Sequence, residues 1–221
     1  MKKRSVIIAG GTGYIGQYVA HEFLARGEEV IVLTRERSGV AGQQHVDDVR
    51  ARFSEAAVVV ADVTNRESVA TALRGRAPKA FVSCIASRSG EPRDAWAVDY
   101  GANRALLECA LELGAEQFVL LSAICVQKPA LEFQRAKLRF EEELAAAPIT
   151  HSIVRPTAFF KSLAGQIARV RAGRPFLLPG DGTVTACKPI SERDLARFIA
   201  ECLSDESRHD AMLPIGGPGP A

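Results

Sequence analysis

The residues of this 221-residue sequence best placed to do chemistry lie between positions 118 and 137. Phe118–Leu121 is an apolar strand that ends in Ser122, and Phe133 and Lys137 follow on a helix. Residues four apart on a helix share a face, so Phe133 and Lys137 address the same neighbour. A tyrosine at 133 would complete a site for carbonyl reduction, its hydroxyl giving a proton to oxygen. Phe133 has no such hydroxyl. Lys137 can still reach a sugar hydroxyl of a bound cofactor, although its charged neighbours Arg135, Arg139 and Glu141 also fit a solvated helix face. Ser122 either lines the reacting pocket or only ends its strand. Lys137, Ser122 and Phe133 are thus the catalytic candidates of a site without its usual acid.

A second constellation explains what Lys137 would face. The stretch GGTGYIG, holding Gly10, Thr12, Gly13, Tyr14, Ile15 and Gly16, follows a first strand and opens a first helix. Glycines at 10, 13 and 16 permit a tight turn, a close approach of backbone to a pyrophosphate, and close helix–strand packing. The unpaired amides of the helix start then face the phosphates. Nineteen residues past Gly16 the second strand runs into Arg35, Glu36, Arg37 and Ser38. An NAD site usually has an acid there for the ribose 2′-hydroxyl, whereas arginine suits a 2′-phosphate. Arg35, Arg37 and Ser38 therefore favour NADPH, the alternative being a basic solvated loop. Asp62 and Val63 close the third strand where the adenine would lie, and Asp62 also fits a local cap of the next turn.

The elements that must position these groups are legible as a pattern. Ser5–Ala9, Glu29–Thr34, Ala57–Ala61, Ala80–Cys84, Phe118–Leu121 and His151–Val154 are short, almost continuously apolar runs, as strands buried on both faces are. Helical periodicity lies between them at Tyr14–Arg26, Glu67–Leu73, Asn103–Leu113 and Phe133–Ala146. This alternation predicts a doubly wound parallel sheet of the NAD(P)-binding Rossmann kind. After Pro156 the pattern loosens into a helix near Phe160–Ala172 and a turn at PGDG. Ser191 then caps a helix through Cys202, with Asp194 three residues on, and a last strand spans Ala211–Ile215. The expected division is a cofactor domain over 1–155 and, over 156–221, a substrate-side extension with a closing helix and strand of the same domain.

Bulk properties narrow the class. Twenty-eight basic against 26 acidic residues leave a net charge of +2, too balanced for a nucleic-acid partner. No apolar run nears the roughly 18 residues of a membrane span. The basic start MKKRSVIIAGG reads as a first strand rather than a secretory leader, so a cytoplasmic protein is expected. Five scattered cysteines make no CxxC and no metal-type spacing with the four histidines, which fits buried thiols in a reducing compartment. Cys125 lies beside the candidate site, as a catalytic thiol or as a packed loop cysteine.

The glycine spacing and the Ser122–Lys137 layout resemble the extended and atypical short-chain dehydrogenase/reductases. Closer strings narrow this: RERSG (35–39), ADVT (61–64), VSCIASRSG (82–90), VDYGAN (98–103), LLSAICVQKPALEFQRAKL (120–138), SIVRPTAFFKSL (152–163), CKPISERDLARFIAEC (187–202) and LPIGGPG (213–219). With these the chain resembles the divinyl chlorophyllide a 8-vinyl reductases over nearly its whole length. The resemblance implies NADPH as cofactor and a tetrapyrrole substrate whose 8-vinyl group is reduced to ethyl. It also accounts for Phe133, since the family carries the same EFQRAK string. An alkene conjugated to a macrocycle accepts hydride and spreads the charge into the ring, so no ketone oxygen needs protonating. A general acid contributes about 10²–10⁴-fold, and such an electron sink tolerates its loss.

By the same resemblance Lys137 is the ribose ligand, while Ala86, Pro156 and Thr157 border the cofactor. Phe159 and Phe160 offer a flat apolar wall to a macrocycle, or belong to the core. Arg88 meets the pyrophosphate or a substrate carboxylate, or is an exposed loop charge. The family continues beyond LPIGGPG into a segment on the substrate side of the cleft, so that side is expected to be incomplete here, with an open apolar cleft able to self-associate. A non-catalytic NADP(H)-binding regulator or assembly protein is the second reading. A carbonyl reductase or epimerase is third, since Phe133 removes its acid.

Overall fold

The computed structural model describes residues 5–39, 42–177 and 188–218. Its strands are β1 (Ser5–Ala9), β2 (Glu29–Thr34), β3 (Arg37–Ser38), β4 (Gln44–His45), β5 (Ala57–Val60), β6 (Pro78–Ser83), β7 (Gln117–Leu121), β8 (Thr150–Pro156) and β9 (Ala211–Ile215). Its helices are α1 (Tyr14–Ala25), α2 (Val46–Arg52), α3 (Arg66–Ala72), α4 (Pro92–Ala95), α5 (Asn103–Glu112), α6 (Glu132–Ala146), α7 (Phe160–Arg171) and α8 (Glu192–Glu201).

Seven strands form one parallel sheet in the order β5-β2-β1-β6-β7-β8-β9. The chain starts in the middle, steps outward through β2 to β5, then returns to lay β6 on the other flank of β1. Helices α1 and α2 go to one face, joined there by α8, and α3, α5 and α6 go to the other, so a crevice opens beyond the carboxyl ends of β1 and β6, where such sheets bind their ligands. The doubly wound parallel fold read from the sequence is the fold found.

Side-chain alternation explains why the strands are apolar throughout. Val6, Ile8, Val30 and Val32 enter a core with Ile15, Val19 and Phe23 of α1 and Leu195, Ile199 and Ala200 of α8. Ile7, Ala9, Ile31 and Leu33 enter the opposite core with Val69 of α3, Leu106 and Ala110 of α5, and Phe140 and Leu144 of α6. Each fully buried side chain of this size contributes about 1.5–3 kcal/mol. The expected burial on both faces fails for β5, an edge strand whose Val60 is 44% exposed. β9 is the other edge, and Pro214 is tolerated there because only β8 pairs with it.

Local signals set the helix ends. After α1, Gly27 takes a φ of +75°, its amide donates to Leu24 O and the Glu28 amide donates to Phe23 O. That pair of bonds satisfies two orphan carbonyls and turns the chain into β2. Ser191 caps α8 as expected, its hydroxyl oxygen accepting from the Asp194 amide at 3.1 Å.

Two features escaped the sequence pattern. A two-stranded antiparallel hairpin, β3 with β4, follows β2 and leads into α2. The helix placed at Asn103 instead begins at Pro92 and passes through a π-helical segment, Trp96–Ala102, before α5. That wider winding breaks the 3.6-residue period by which a helix is recognised. The PGDG turn and Cys187 lie outside the described residues.

Candidate active site

The phosphate cradle is built as its spacing predicts. Gly10 has a φ of +81°, and a Cβ on it would stand 2.7 Å from the Cys84 carbonyl carbon in the loop after β6. A Cβ on Gly16 would fall onto the Gly10 carbonyl oxygen. Gly13 is the N-cap of α1, its amide donating to Gly10 O at 2.9 Å, and no side chain caps the helix or puts an acid in its first turn. The amides of Tyr14, Ile15 and Gly16 therefore start a helix of positive potential that suits a pyrophosphate. Thr12 is half-buried in the same loop.

The Tyr14 side chain turns away from this loop. Its hydroxyl donates to Glu192 Oε2 at 3.0 Å, and the Lys161 ammonium lies 4.3 Å from its ring centroid. Burial, then the bond to Glu192, push the phenol up to about 12. Tyr14 thus bonds the cofactor loop to the start of α8 and lies against the start of α7.

At the adenosine end Arg35 and Arg37 are exposed while Ser38 is buried. The Ser38 hydroxyl and Gln44 Oε1 have no hydrogen-bond partner in this hairpin. The Ser38 hydroxyl, a buried orphan donor beside two arginines, fits an added acceptor such as a 2′-phosphate. Arg88, expected at a pyrophosphate or a substrate carboxylate, instead donates from Nη1 to the Gly39 carbonyl oxygen. The loop after β6 reaches across toward the hairpin and takes this guanidinium to the adenosine end. The Asp62 carboxylate accepts from the Thr64 amide at 3.0 Å and its hydroxyl at 2.7 Å, a local Asx turn, while Asn65 is the cap of α3. Val63 is half-buried beside it and Ala86 is exposed after β6.

At the other end of the crevice Lys137 is not on a solvated face. It is 7% exposed, and its ammonium lies 2.9 Å from Asp99 Oδ1, itself on a residue 1% exposed. Asp99 belongs to the π-helical segment, and both its carboxylate oxygens lie 3.4 Å from the Ser87 amide. Asn103 Nδ2 donates to the Asp99 carbonyl at 2.9 Å, and the Ser83 hydroxyl bonds Asn103 Oδ1. A buried polar chain thus runs from the end of β6 to α6.

Glu141, one turn past Lys137, is also buried, at 2% exposed. It accepts from the Ser122 hydroxyl and is paired with Arg155 at the end of β8, whose Nε lies 3.1 Å from Oε2. Of the two readings of Lys137, the solvated charged face is set aside: Lys137 and Glu141 point inward because two other elements bring opposite charges to meet them, while Arg135 and Arg139 stay exposed. Phe133 is half-buried in the first turn of α6. Gln134 fixes that start, its Oε1 accepting from the amides of Ala130 and Leu131 at 2.7 and 2.8 Å.

Pro156 is buried at the end of β8, and the Thr157 amide donates to Ile215 O at 2.9 Å, tying this edge of the crevice to β9. Phe159 is half-buried, 6.3 Å from the Tyr14 ring, whereas Phe160 is 53% exposed. Further along α7 and after it, Ile167, Val170, Phe176 and Leu177 are also exposed. Cys125 is exposed in the 3-10 turn Ile124–Gln127.

Asp99, Asn103 and Glu141 are the residues sequence reasoning missed. Glu141 had a signal, since it repeats the four-residue step from Phe133 to Lys137. For Asp99 the only signal was its place in the string VDYGAN. Among the described residues no helix is long and apolar enough to cross a membrane, and no cluster could hold a metal ion.

A family described as NAD(P)H-binding matches residues 10–206. The chain is 54% identical to a divinyl chlorophyllide a 8-vinyl-reductase, chloroplastic, of Oryza sativa subsp. indica, over 98% of this chain and 55% of that protein. Its counterpart in Zea mays is 53% identical over 98% of this chain and 56% of its own length. The chain thus spans about half the length of these relatives. A UDP-glucose 4-epimerase of Thermotoga maritima, solved with UDP-glucose, shares the fold at a TM-score of 0.76 and 19% identity, covering 96% of this chain and 76% of that one.

Proposed function

From the premise that this chain belongs to the NAD(P)H-binding family, we propose that it is an NADPH-dependent vinyl reductase acting on a divinyl chlorophyllide. The observation that carries the proposal is the combination at one site of a whole dinucleotide cradle, a buried lysine and no acid at Phe133, in a sequence so like the named reductases. When bound, NADPH supplies a hydride. The Gly10–Gly16 loop and the start of α1 hold its pyrophosphate, and Arg35, Arg37 and Ser38 hold its 2′-phosphate. Arg88 closes over that end. Lys137 directs its ammonium at the ribose hydroxyls, with Ala86, Pro156 and Thr157 along the nicotinamide edge.

The missing hydroxyl selects the substrate class. With a hydrocarbon at 133 and Ser122 bonded to Glu141, neither position offers a proton to a ketone oxygen. A vinyl group conjugated to a macrocycle has no such oxygen: hydride adds to it, the ring takes up the charge, and a proton delivered to carbon from solvent or another acid completes the ethyl group. Phe159, Phe160 and the exposed apolar residues of α7 form the wall on which the macrocycle lies. The same residues would drive any self-association. Residues 1–155 serve the cofactor and 156–221 the substrate side, with α8 and β9 closing the sheet. The named relatives are chloroplastic, so this reading narrows the cytoplasmic expectation to the compartment where the pigment is made.

Phe133 also keeps a second reading in place, a protein that binds NADPH without catalysis. The test incubates the chain with NADPH and divinyl chlorophyllide a and separates the pigments chromatographically. The 8-ethyl product is expected; its absence from folded, NADPH-binding protein would sink the reductase reading in favour of the second.

A further inference from the structure

We infer that Asp99 is a positioning residue for the bound dinucleotide, acting through Lys137 and the Ser87 amide. This deepens the NADPH-binding reading and does not depend on the vinyl reaction.

The geometry leaves Asp99 little freedom. Its carboxylate is 2.9 Å from the Lys137 ammonium and 3.4 Å from the Ser87 amide, and its carbonyl is held by Asn103 at 2.9 Å. One residue therefore joins three elements around the crevice: the loop after β6, the π-helical segment and α6. An ammonium has three N–H donors. With one directed at Asp99, the others take fixed directions, and a ribose hydroxyl then meets a donor already aimed. A lysine on a free four-carbon stem would have to be immobilised at each binding event, a loss Asp99 removes beforehand.

Stability alone does not explain this pair. A buried ion pair does about as well as apolar residues of the same volume in its place, so it is weak evidence for a merely structural role. The local winding points the same way, since single-turn π segments inside α-helices occur frequently at functional sites. The site's own chemistry adds a reason. A tyrosine at 133 would share the charge of Lys137; Phe133 cannot, and Asp99 supplies the partner instead.

The experiment is a double-mutant cycle read as NADPH affinity, from the fluorescence of the bound nicotinamide, with no tetrapyrrole present. Lys137→Met and Asp99→Asn should each weaken binding about tenfold or more, and the double variant should be no weaker than Lys137→Met alone. Losses that multiply in the double variant would overturn the inference, as would unchanged affinity in Asp99→Asn. If Asp99→Asn does not fold, Asp99→Glu takes its place: it should weaken binding in the native background and change nothing beside Lys137→Met. Equal effects in both backgrounds would overturn it. A chain that binds NADPH but makes no 8-ethyl product ends the reductase reading and leaves this one intact. A native chain that binds no NADPH ends both.

Discussion

Ser122 donates its hydroxyl hydrogen bond to Glu141 inside the protein, and Arg155 grips the same carboxylate from the end of β8. The serine at the strand end is therefore committed to a brace between β7, α6 and β8. In a site for carbonyl chemistry that hydroxyl would face the reacting oxygen. Here it satisfies a buried acid.

Ser122→Ala should accordingly behave as a stability variant. Removing one charge-assisted bond from a buried carboxylate that keeps its arginine costs about 1–3 kcal/mol. Denaturant unfolding should show that loss while NADPH affinity stays unchanged. A folded variant with strongly impaired NADPH binding would return Ser122 to the cofactor site.

Gly16→Ala tests the cradle. Its new methyl group would meet the backbone oxygen of Gly10, which cannot move without dislodging the turn. Overpacking of this kind costs about 1–3 kcal/mol, and here it displaces the phosphate-facing backbone. NADPH binding should fall below detection in titrations that still see native protein, whereas Gly75→Ala, which meets no atom within 4 Å and is strained only by its φ of +75°, should cost stability only.

Replacing Arg35 and Arg37 together by alanine should separate the two nicotinamide cofactors. Each charge-assisted contact to a phosphate contributes about 1.5–3 kcal/mol, or roughly tenfold or more in affinity. NADPH affinity should drop by at least that factor while NADH affinity holds, as read by calorimetric titration. An equal loss for both would mean that these arginines serve the fold or the pyrophosphate.

The buried thiols predict the response to alkali. Burial pushes Cys84 up to about 12, and Cys109 and Cys202 up to about 11 each, from an ordinary value near 9. With the folded values raised, this contribution to stability is fully present below pH 9. It is lost as pH rises toward 11–12, because the unfolded chain ionises first. The denaturant midpoint should be level from pH 7 to about 8.5 and then fall, with a shallower fall for Cys202→Ala. At pH 8 a thiol reagent should label exposed Cys125 quickly, and Cys109 and Cys202 only on unfolding.

The sequence was most readable where one physical demand dominates. Buried parallel strands must be apolar on both faces, so β1, β2, β6, β7 and β8 stood out, and the glycine loop showed itself through spacing that only close backbone contacts require. The hairpin β3–β4 was hidden because two-residue strands have no period to detect. Asp99 was hidden because π winding takes the helix off its usual repeat and because its partner lies 38 residues away on α6. Lys137 was legible as a candidate, but its partner Asp99 and the burial of Glu141 were not, since one sequence cannot reveal which opposite charges the fold brings to them. Arg88 was recognised as a ligand candidate, but its bond to the Gly39 carbonyl depends on a loop conformation with no sequence signature.

Every residue of α7 with a described side chain is exposed or only half-buried, in contrast to the helices that cover the sheet. Substitutions at such positions usually change stability by less than about 0.5 kcal/mol. Selection can therefore revise this helix freely while the nucleotide-holding core stays under strict constraint. Descendants of one ancestral sheet could come to prefer different molecules through changes in α7 alone, and a library randomised at Phe160, Ile167 and Val170 should yield mostly folded proteins that differ in what they retain.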